Sequence, residues 1–301
     1  MNLRDLKYLV AVADLQNFSH AAERCFVSQP TLSTQIKKLE DELGVVVFER
    51  NNRSVRLTEA GELILVVARR ILAEVDLIGD IAESARDPLA GTLRLGAFPT
   101  LASYVFPLAV RRIAEDLPRL KLLLIEEKTE ALTGQLKNGQ CDAALLALPV
   151  NDPALVSMKL FEDPFLLAVP EGHALAGWAC IDPVDLADLK LLLLDEGHCL
   201  RDHALDVCYR HGGHEEPDFR ATSLETLRMM VRAGTGITLM PRIAAREGEP
   251  GVCYVPFTDP PPKRLIGLVW RKTTARGVLI ERLCGLLLEM VRAWEGEDAA
   301  A

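Results

Sequence analysis

The chain has no apolar run approaching the roughly 20 residues a membrane-spanning helix needs; its longest aliphatic stretches, such as residues 63–68, are far shorter. A helical membrane protein is excluded. Arg4, Asp5, Lys7 and Asp14 interrupt the opening MNLRDLKYLVAVADLQNF, so the layout of a secretory signal is missing and a cytoplasmic location is expected. Neither GxGxxG nor GxxxxGK followed by Ser or Thr occurs, and Gly234-Thr235-Gly236 is too short to cradle a phosphate, so no nucleotide cofactor is implied. The CxxC and HxxxH spacings that commonly frame a metal are also missing. Positive charge is scarce: 34 Lys and Arg against 43 Asp and Glu leave a net charge of −9. That argues against a broadly basic nucleic-acid surface, though not against a local one. Seven cysteines, an odd number at irregular spacings, make no disulfide scaffold and should mostly be buried thiols.

What is present is enough chain, 301 residues, for two or three domains. Residues 1–58 read as three helices and a hairpin. Leu3, Leu6, Leu9, Val10 and Ala13 recur at helical spacing, Ser19 is placed to cap a second helix at HAAERCF, and Ser28 or Gln29 opens a third, QPTLSTQIKKLEDEL, closed by Gly44. VVVFERNNRSVRLT follows with two β-rich runs about Asn51-Asn52. Two short helices joined by a tight turn make a helix-turn-helix, with the hairpin as its wing. A plain three-helix bundle is the alternative. Charge decides between them: residues 1–60 hold eight basic and eight acidic side chains, yet Arg50, Arg53 and Arg56 share the wing with no acid between them, and Lys37 and Lys38 lie on the third helix. This is a local footprint for phosphates, with Ser28, Gln29, Ser33 and Gln35 at or near the start of the helix that would meet the bases.

Residues 59–87 form one proline-free helix. Ile64, Ile71, Ile78 and Ala85 recur every seven, interleaved by Ala68, Val75 and Ala82, which points to a dimerisation helix joining two domains. From Pro88 onward the pattern alternates strands with helices: TLRLGAFP, LKLLLIEE, AALLAL, LVSMKLF, FLLAVP, LKLLLLDE, GITLMP and RLIGLVW. Such aliphatic runs suit an α/β fold with covered sheets. Ligand groups converge beyond strand ends in these folds, where Thr100, Thr129 and the pair His198-Cys199 stand.

One stretch, DEGHCLRDHALDVCYRHGGH at 195–214, concentrates four of the six histidines and two of the cysteines. CLRDHALDVC reads as a short amphipathic helix with Leu200, Ala204, Val207 and Cys208 on its apolar face. Nine helical steps separate Cys199 from Cys208 by about 13–14 Å at 1.5 Å per residue, whereas a disulfide needs Cα atoms within about 7 Å. Bonding them requires the helix to unwind. Cys199 is expected to be the reactive thiol, at a helix start with His198 beside it and Arg201 within a turn to support a thiolate. A metal held by some of His198, Cys199, His203, Cys208, His211 and His214 remains an alternative, as do exposed histidines beside two core thiols.

AERCFVSQPTLSTQIKKLEDELGVVVFERNNRSVRLTEAG at 22–61 resembles the winged helix-turn-helix of LysR-type transcriptional regulators, and LLLLDEGHCLRDHALDVC and TSLETLRMMVRAGTGITLMP resemble hydrogen-peroxide-sensing members of that family. The resemblance covers nearly the whole chain. It implies a DNA-binding domain over 1–58, a linker helix over 59–87 and a redox-sensing regulatory domain over 88–301. The last would hold two periplasmic-binding-protein-like α/β subdomains, one over about 88–161 with 268–301 and one over about 162–267. It further implies a peroxidatic role for Cys199, a resolving role for Cys208, and peroxide-binding groups at Thr100, Thr129, His198, Asp202 and Arg264. Arg4, Thr31, Ser33, Arg50 and Arg53 match positions expected at DNA. The implied partners are double-stranded promoter DNA, RNA polymerase, hydrogen peroxide as effector, glutaredoxin or glutathione as reductant, and three further copies in a dimer of dimers. Such a protein is not an enzyme and controls antioxidant-defence genes. The departures are the additional histidines 203, 211 and 214 and the acidic tail EGEDAAA. A thiol peroxidase would explain the cysteine pair while leaving the DNA reader idle; a metabolite-binding LysR regulator would treat the pair as incidental.

Overall fold

The computed structural model describes residues 1–51, 54–187, 189–211, 214–246 and 248–298. Arg53 and the Gly212-Gly213 bend lie outside the described residues, as do the side chains of Arg50, Cys208 and His211.

The N-terminal unit opens with α1 (Leu3–Leu15), whose first turn is closed by a reciprocal cap between Asn2 and Asp5. The second helix, α2 (Phe18–Arg24), is capped by Asn17 rather than Ser19: Asn17 Oδ1 accepts from Ser19 N at 2.9 Å and His20 N at 3.1 Å. An Asn carboxamide two positions earlier reaches both free amides, so the serine is taken into the helix. Ser28 caps α3 (Gln29–Leu43), with Pro30 in its first turn, and Gly44 ends it at φ 70°. The hairpin pairs β1 (Phe48–Asn51) with β2 (Ser54–Leu57) in the register Phe48↔Leu57. Glu40 Oε1 accepts from Val47 N and Phe48 N at 2.8 and 3.0 Å, tying the base of the hairpin to α3. Leu6, Leu9, Val12, Leu32, Ile36, Leu39, Val47 and Phe48 form the core.

The long helix α4 (Glu59–Arg86) uses the expected seam differently. Ala68 is buried in the N-terminal core, and Ile64 and Ile71 pack against it, because the three short helices need a fourth face to close over them. The large apolar side chains left exposed are Leu63, Val66, Val67, Ile78 and Ile81, and Ala82 and Ala85 of the expected seam are exposed as well.

The second unit is built on a seven-stranded sheet. Its strands are β3 (Gly91–Ala97), β4 (Leu120–Glu126), β5 (Ala143–Leu148), β6 (Leu155–Pro170), β9 (Thr238–Pro241), β10 (Val252–Pro256) and β11 (Lys263–Arg271); the order is β10-β6-β11-β5-β3-β4, with β9 also on β6. β7 (Lys190–Leu194) and β8 (His214–Ala221) form a separate parallel pair. The helices are α5 (Pro99–Asp116), α6 (Thr129–Lys137), α7 (Cys199–His211), α8 (Leu224–Arg232) and α9 (Gly277–Asp298).

Where the sequence suggests two strands, LVSMKLF and FLLAVP, the structure has the single β6. Up to Pro164 it pairs with β11, and from Phe165 onward with β9 and β10. Pro164 is tolerated because the strand changes partners there. One sheet therefore serves two cores. The first gathers Leu93, Leu101, Val105, Leu145, Ile266 and Leu283; the second gathers Phe165, Leu191, Leu200, Leu227, Val231 and Leu239. These are the two α/β subdomains. No helix among the described residues is long and apolar enough to cross a membrane.

Candidate functional site

Three helices of the second unit begin just after parallel strand ends: α5 after β3, α6 after β4 and α7 after β7. Their opening residues include Thr100, Thr129 and Cys199. The Cys199 side chain packs against the first core, whereas Leu200 and Ala204 of the same helix belong to the second. Gly197, at φ +81°, makes the turn into α7 under the Lys128 side chain, whose Nζ donates to Glu196 O at 2.7 Å.

Arg264 enters from β11 and is 1 % exposed. Its Nη1 donates to Thr100 Oγ1 at 2.9 Å, its Nη2 to the Thr100 carbonyl at 3.2 Å, and its Nε to Asp163 Oδ2 at 2.9 Å. The Phe98 ring lies 5.1 Å from the guanidinium carbon. Burial pushes the Cys199 thiol above its ordinary range; the Arg264 charge and the Thr129 hydroxyl pull it back, and Asp202 pushes it further up. Thr129 Oγ1 is itself buried and faces the thiol.

Burial works against the thiolate that the sequence suggests. Burial outweighs the helix start, and neither supporting group lends positive charge to the thiol. His198 is buried and kept below its ordinary pKa by burial and by Lys128, hence neutral at pH 7. Arg201 closes its fork on Glu215 at 2.7 and 2.8 Å and donates to the Leu194 carbonyl at 3.1 Å. The guanidinium that acts on the thiol is Arg264's. Asp202, expected among the peroxide-binding groups, is exposed on the first turn of α7. His203 is half-buried, its ring 6.1 Å from Phe165 and facing the Cys199 backbone one turn back along α7. His214 opens β8 and is exposed.

Asp163, Phe98 and Lys128 escape a sequence reading. Asp163 sits inside a β run, where a carboxylate suggests a solvent face, and only a buried cation elsewhere explains it. Cys208 lies in the same unbroken helix as Cys199, which keeps their backbones about 13–14 Å apart.

In the N-terminal unit, Arg4, Gln29 and Thr31 are exposed, and Ser33 and Gln35 are half-buried along α3. Ser28 Oγ is engaged with Thr31 Oγ1 at 2.7 Å and with Thr31 N at 3.3 Å. Arg56, opposite Glu49 in the hairpin, is exposed.

Residues 3–62 match the bacterial regulatory helix-turn-helix proteins of the lysR family, and residues 86–292 match the LysR substrate binding domain. The chain belongs to the LysR family of transcriptional regulators. It is one of the OxyR-like members. It is 46 % identical over 273 residues to the DNA-binding transcriptional dual regulator OxyR of Escherichia coli K12, covering 90 % of each chain. It is 41 % identical over 295 residues to the hydrogen peroxide-inducible genes activator of Haemophilus influenzae, covering 97 % of this chain and 98 % of that one. Among solved structures, a full-length OxyR variant from Pseudomonas aeruginosa superposes with a TM-score of 0.76 at 38 % identity over 95 % of this chain and 94 % of the other. An OxyR mutant from Corynebacterium glutamicum with hydrogen peroxide bound gives 0.67 at 33 % identity, over 97 % and 93 %. These relatives are DNA-binding transcription regulators rather than enzymes, and the family assignment carries that to this regulator.

Proposed function

We propose that this regulator senses hydrogen peroxide through reversible oxidation of Cys199, with Cys208 as the resolving thiol, and converts the event into altered binding of promoter DNA. The observation that carries the reading is the placement of the Cys199 thiol. It is the first residue of α7, packed on one core while the helix belongs to the other, with Thr129 and the Arg264 charge acting on it. Peroxide enters, the Cys199 sulfur displaces hydroxide from the O–O bond, and the thiol proton leaves with that hydroxide as water. Sulfur is oxidised by two electrons to sulfenic acid and peroxide is reduced. The Cys208 sulfur then attacks the sulfenic sulfur, forming the disulfide and releasing a second water.

The disulfide cannot form across an intact α7, so its formation unwinds the helix. Thr100, Thr129, His198 and Arg264 surround the bound peroxide; Asp202 supplies charge near the helix start. The DNA reader is residues 1–58, the linker 59–87 and the sensor 88–301. Four copies act as a dimer of dimers in the cytoplasm, RNA polymerase reads the rearranged complex at antioxidant-defence genes, and glutathione or glutaredoxin resets it.

The test is intact mass with thiol alkylation before and after about one equivalent of peroxide, a two-electron, two-thiol reaction. Loss of two alkylatable thiols mapping to Cys199 and Cys208 is the expected result. Peroxide-induced change at other cysteines alone would favour a regulator that answers to a small metabolite instead.

A further inference from the structure

Asp163 takes no part in the chemistry above, yet it is fully buried and both of its oxygens are committed. Oδ2 accepts from Arg264 Nε at 2.9 Å and lies 2.8 Å from Nη2, while Oδ1 accepts from Ile243 N at 3.1 Å. The Ile243 amide belongs to a 3-10 turn (Arg242–Ala244), so the carboxylate is anchored on both sides. Thr100 holds the other edge of the guanidinium through its hydroxyl and carbonyl. A guanidinium has five N–H donors. The hydrogen bonds take one donor each on Nε, Nη1 and Nη2, with Nη2 also in ion-pair contact with Asp163 Oδ2; Nη1, the nitrogen that reaches Thr100 Oγ1, keeps a second N–H with no hydrogen bond among the described residues.

We propose that Asp163 is the positioning residue of the Cys199 reaction: it locks the Arg264 fork so that the spare Nη1 proton serves the departing peroxide oxygen, and it offsets the guanidinium charge that the thiol meets. The inference rests on the peroxide-sensing reading of Cys199. A bare cation in this interior would favour the thiolate strongly, because charges there are poorly screened. Paired with Asp163, it becomes a dipole whose direction is fixed. The site then separates two properties that a bare thiolate joins, general nucleophilicity and reactivity toward peroxide. Hydroxide leaving the O–O bond needs a donor at that moment, and a donor held in place before the reaction costs no reorganisation during it.

The experiment uses the full chain and reads two rates at Cys199 by peptide mass: alkylation by iodoacetamide as a function of pH, and oxidation by hydrogen peroxide. D163N removes the charge and keeps the shape. Its alkylation midpoint should fall by about one pH unit or more. Its peroxide rate should drop about tenfold or more, as for a misplaced donor. Removing one partner of a buried ion pair is costly to stability, so two further variants carry the test if D163N is not folded by circular dichroism. Asp163→Glu retains the charge but displaces the fork, and should keep the alkylation profile while slowing peroxide. The double variant D163N/R264Q removes both charges of the pair and should restore a high midpoint with a slow peroxide reaction. A ratio of peroxide to alkylation rate that stays within about twofold of wild type in the folded variants overturns the proposal, since a merely structural role moves both rates together. If wild-type Cys199 itself ignores peroxide, the sensing reading fails, and the alkylation midpoints still decide whether Asp163 restrains the thiol.

Discussion

At the scale of single residues, the site is governed by which side chain neutralises which. Cys208→Ser should leave Cys199 oxidisable but without a resolving partner, so dimedone labelling of Cys199 after peroxide should rise well above wild type; no trapped sulfenic acid would remove Cys208 from the resolving role. The two histidines near the thiol give a pH prediction. Burial holds both His198 and His203 below the ordinary value of 6.5. The unfolded chain therefore takes up protons first as pH falls, and stability present above about pH 6.5 is lost as pH falls below it. H203Q should flatten that acid limb in urea unfolding between about pH 7 and 5; an unchanged limb would mean His203 is not desolvated in the native state. The positions of Thr100, Thr129 and Cys199 were legible in the sequence, because strand–turn–helix junctions are written in aliphatic runs and caps. The pairings were not. Arg201 and Arg264 are both basic residues near a helix or strand end, and only the tertiary placement of Glu215 and Asp163 decides which one the thiol sees.

Elements tell the same story with one more layer. α3 was legible in its span, with its start left between Ser28 and Gln29, since Ser28, Pro30 and Gly44 are local signals that need no tertiary partner. Ser28→Ala should cost about 1 kcal/mol of stability by thermal or urea unfolding. β6 was not legible as one strand, because Asp163-Pro164 looks like a break when the change of partner strands is invisible. β8, HEEPDFRA, lacks any aliphatic run and exists by pairing with β7. For α7 the prediction is mechanical. In the reduced protein, amides from Leu200 to Val207 should resist hydrogen exchange, with Leu200 and Ala204 buried. After the Cys199–Cys208 bond is verified by mass, that protection should collapse. Persistence of slow exchange would show that the bond forms without unwinding and would sink the conformational half of the mechanism.

On the whole-molecule scale, two surfaces are left to do work. The wing and α3 carry the local basic charge of an acidic chain. Arg50→Ala should weaken binding to many DNA sequences and lower the salt slope by about one, whereas Gln35 substitutions should change sequence preference more than salt dependence. Unchanged affinity and slope in the Arg50 variant would place the wing away from DNA. α4 leaves Leu63, Val66, Val67, Ile78 and Ile81 exposed on a single copy, and the proposed dimer of dimers would cover such a surface. Ile78→Glu should therefore shift sedimentation toward smaller species without loss of helix content.

The burial of Cys199 has a consequence beyond its own chemistry. A cell is full of electrophiles and oxidised small thiols, and a thiolate standing open to them would report every one as the same alarm. A thiol withheld in its neutral form is nearly deaf to that background. On the proposed mechanism it would answer a small neutral molecule that can enter the interior and meet a fixed donor there, and the buried site would act as a filter on what counts as a signal before any gene is read.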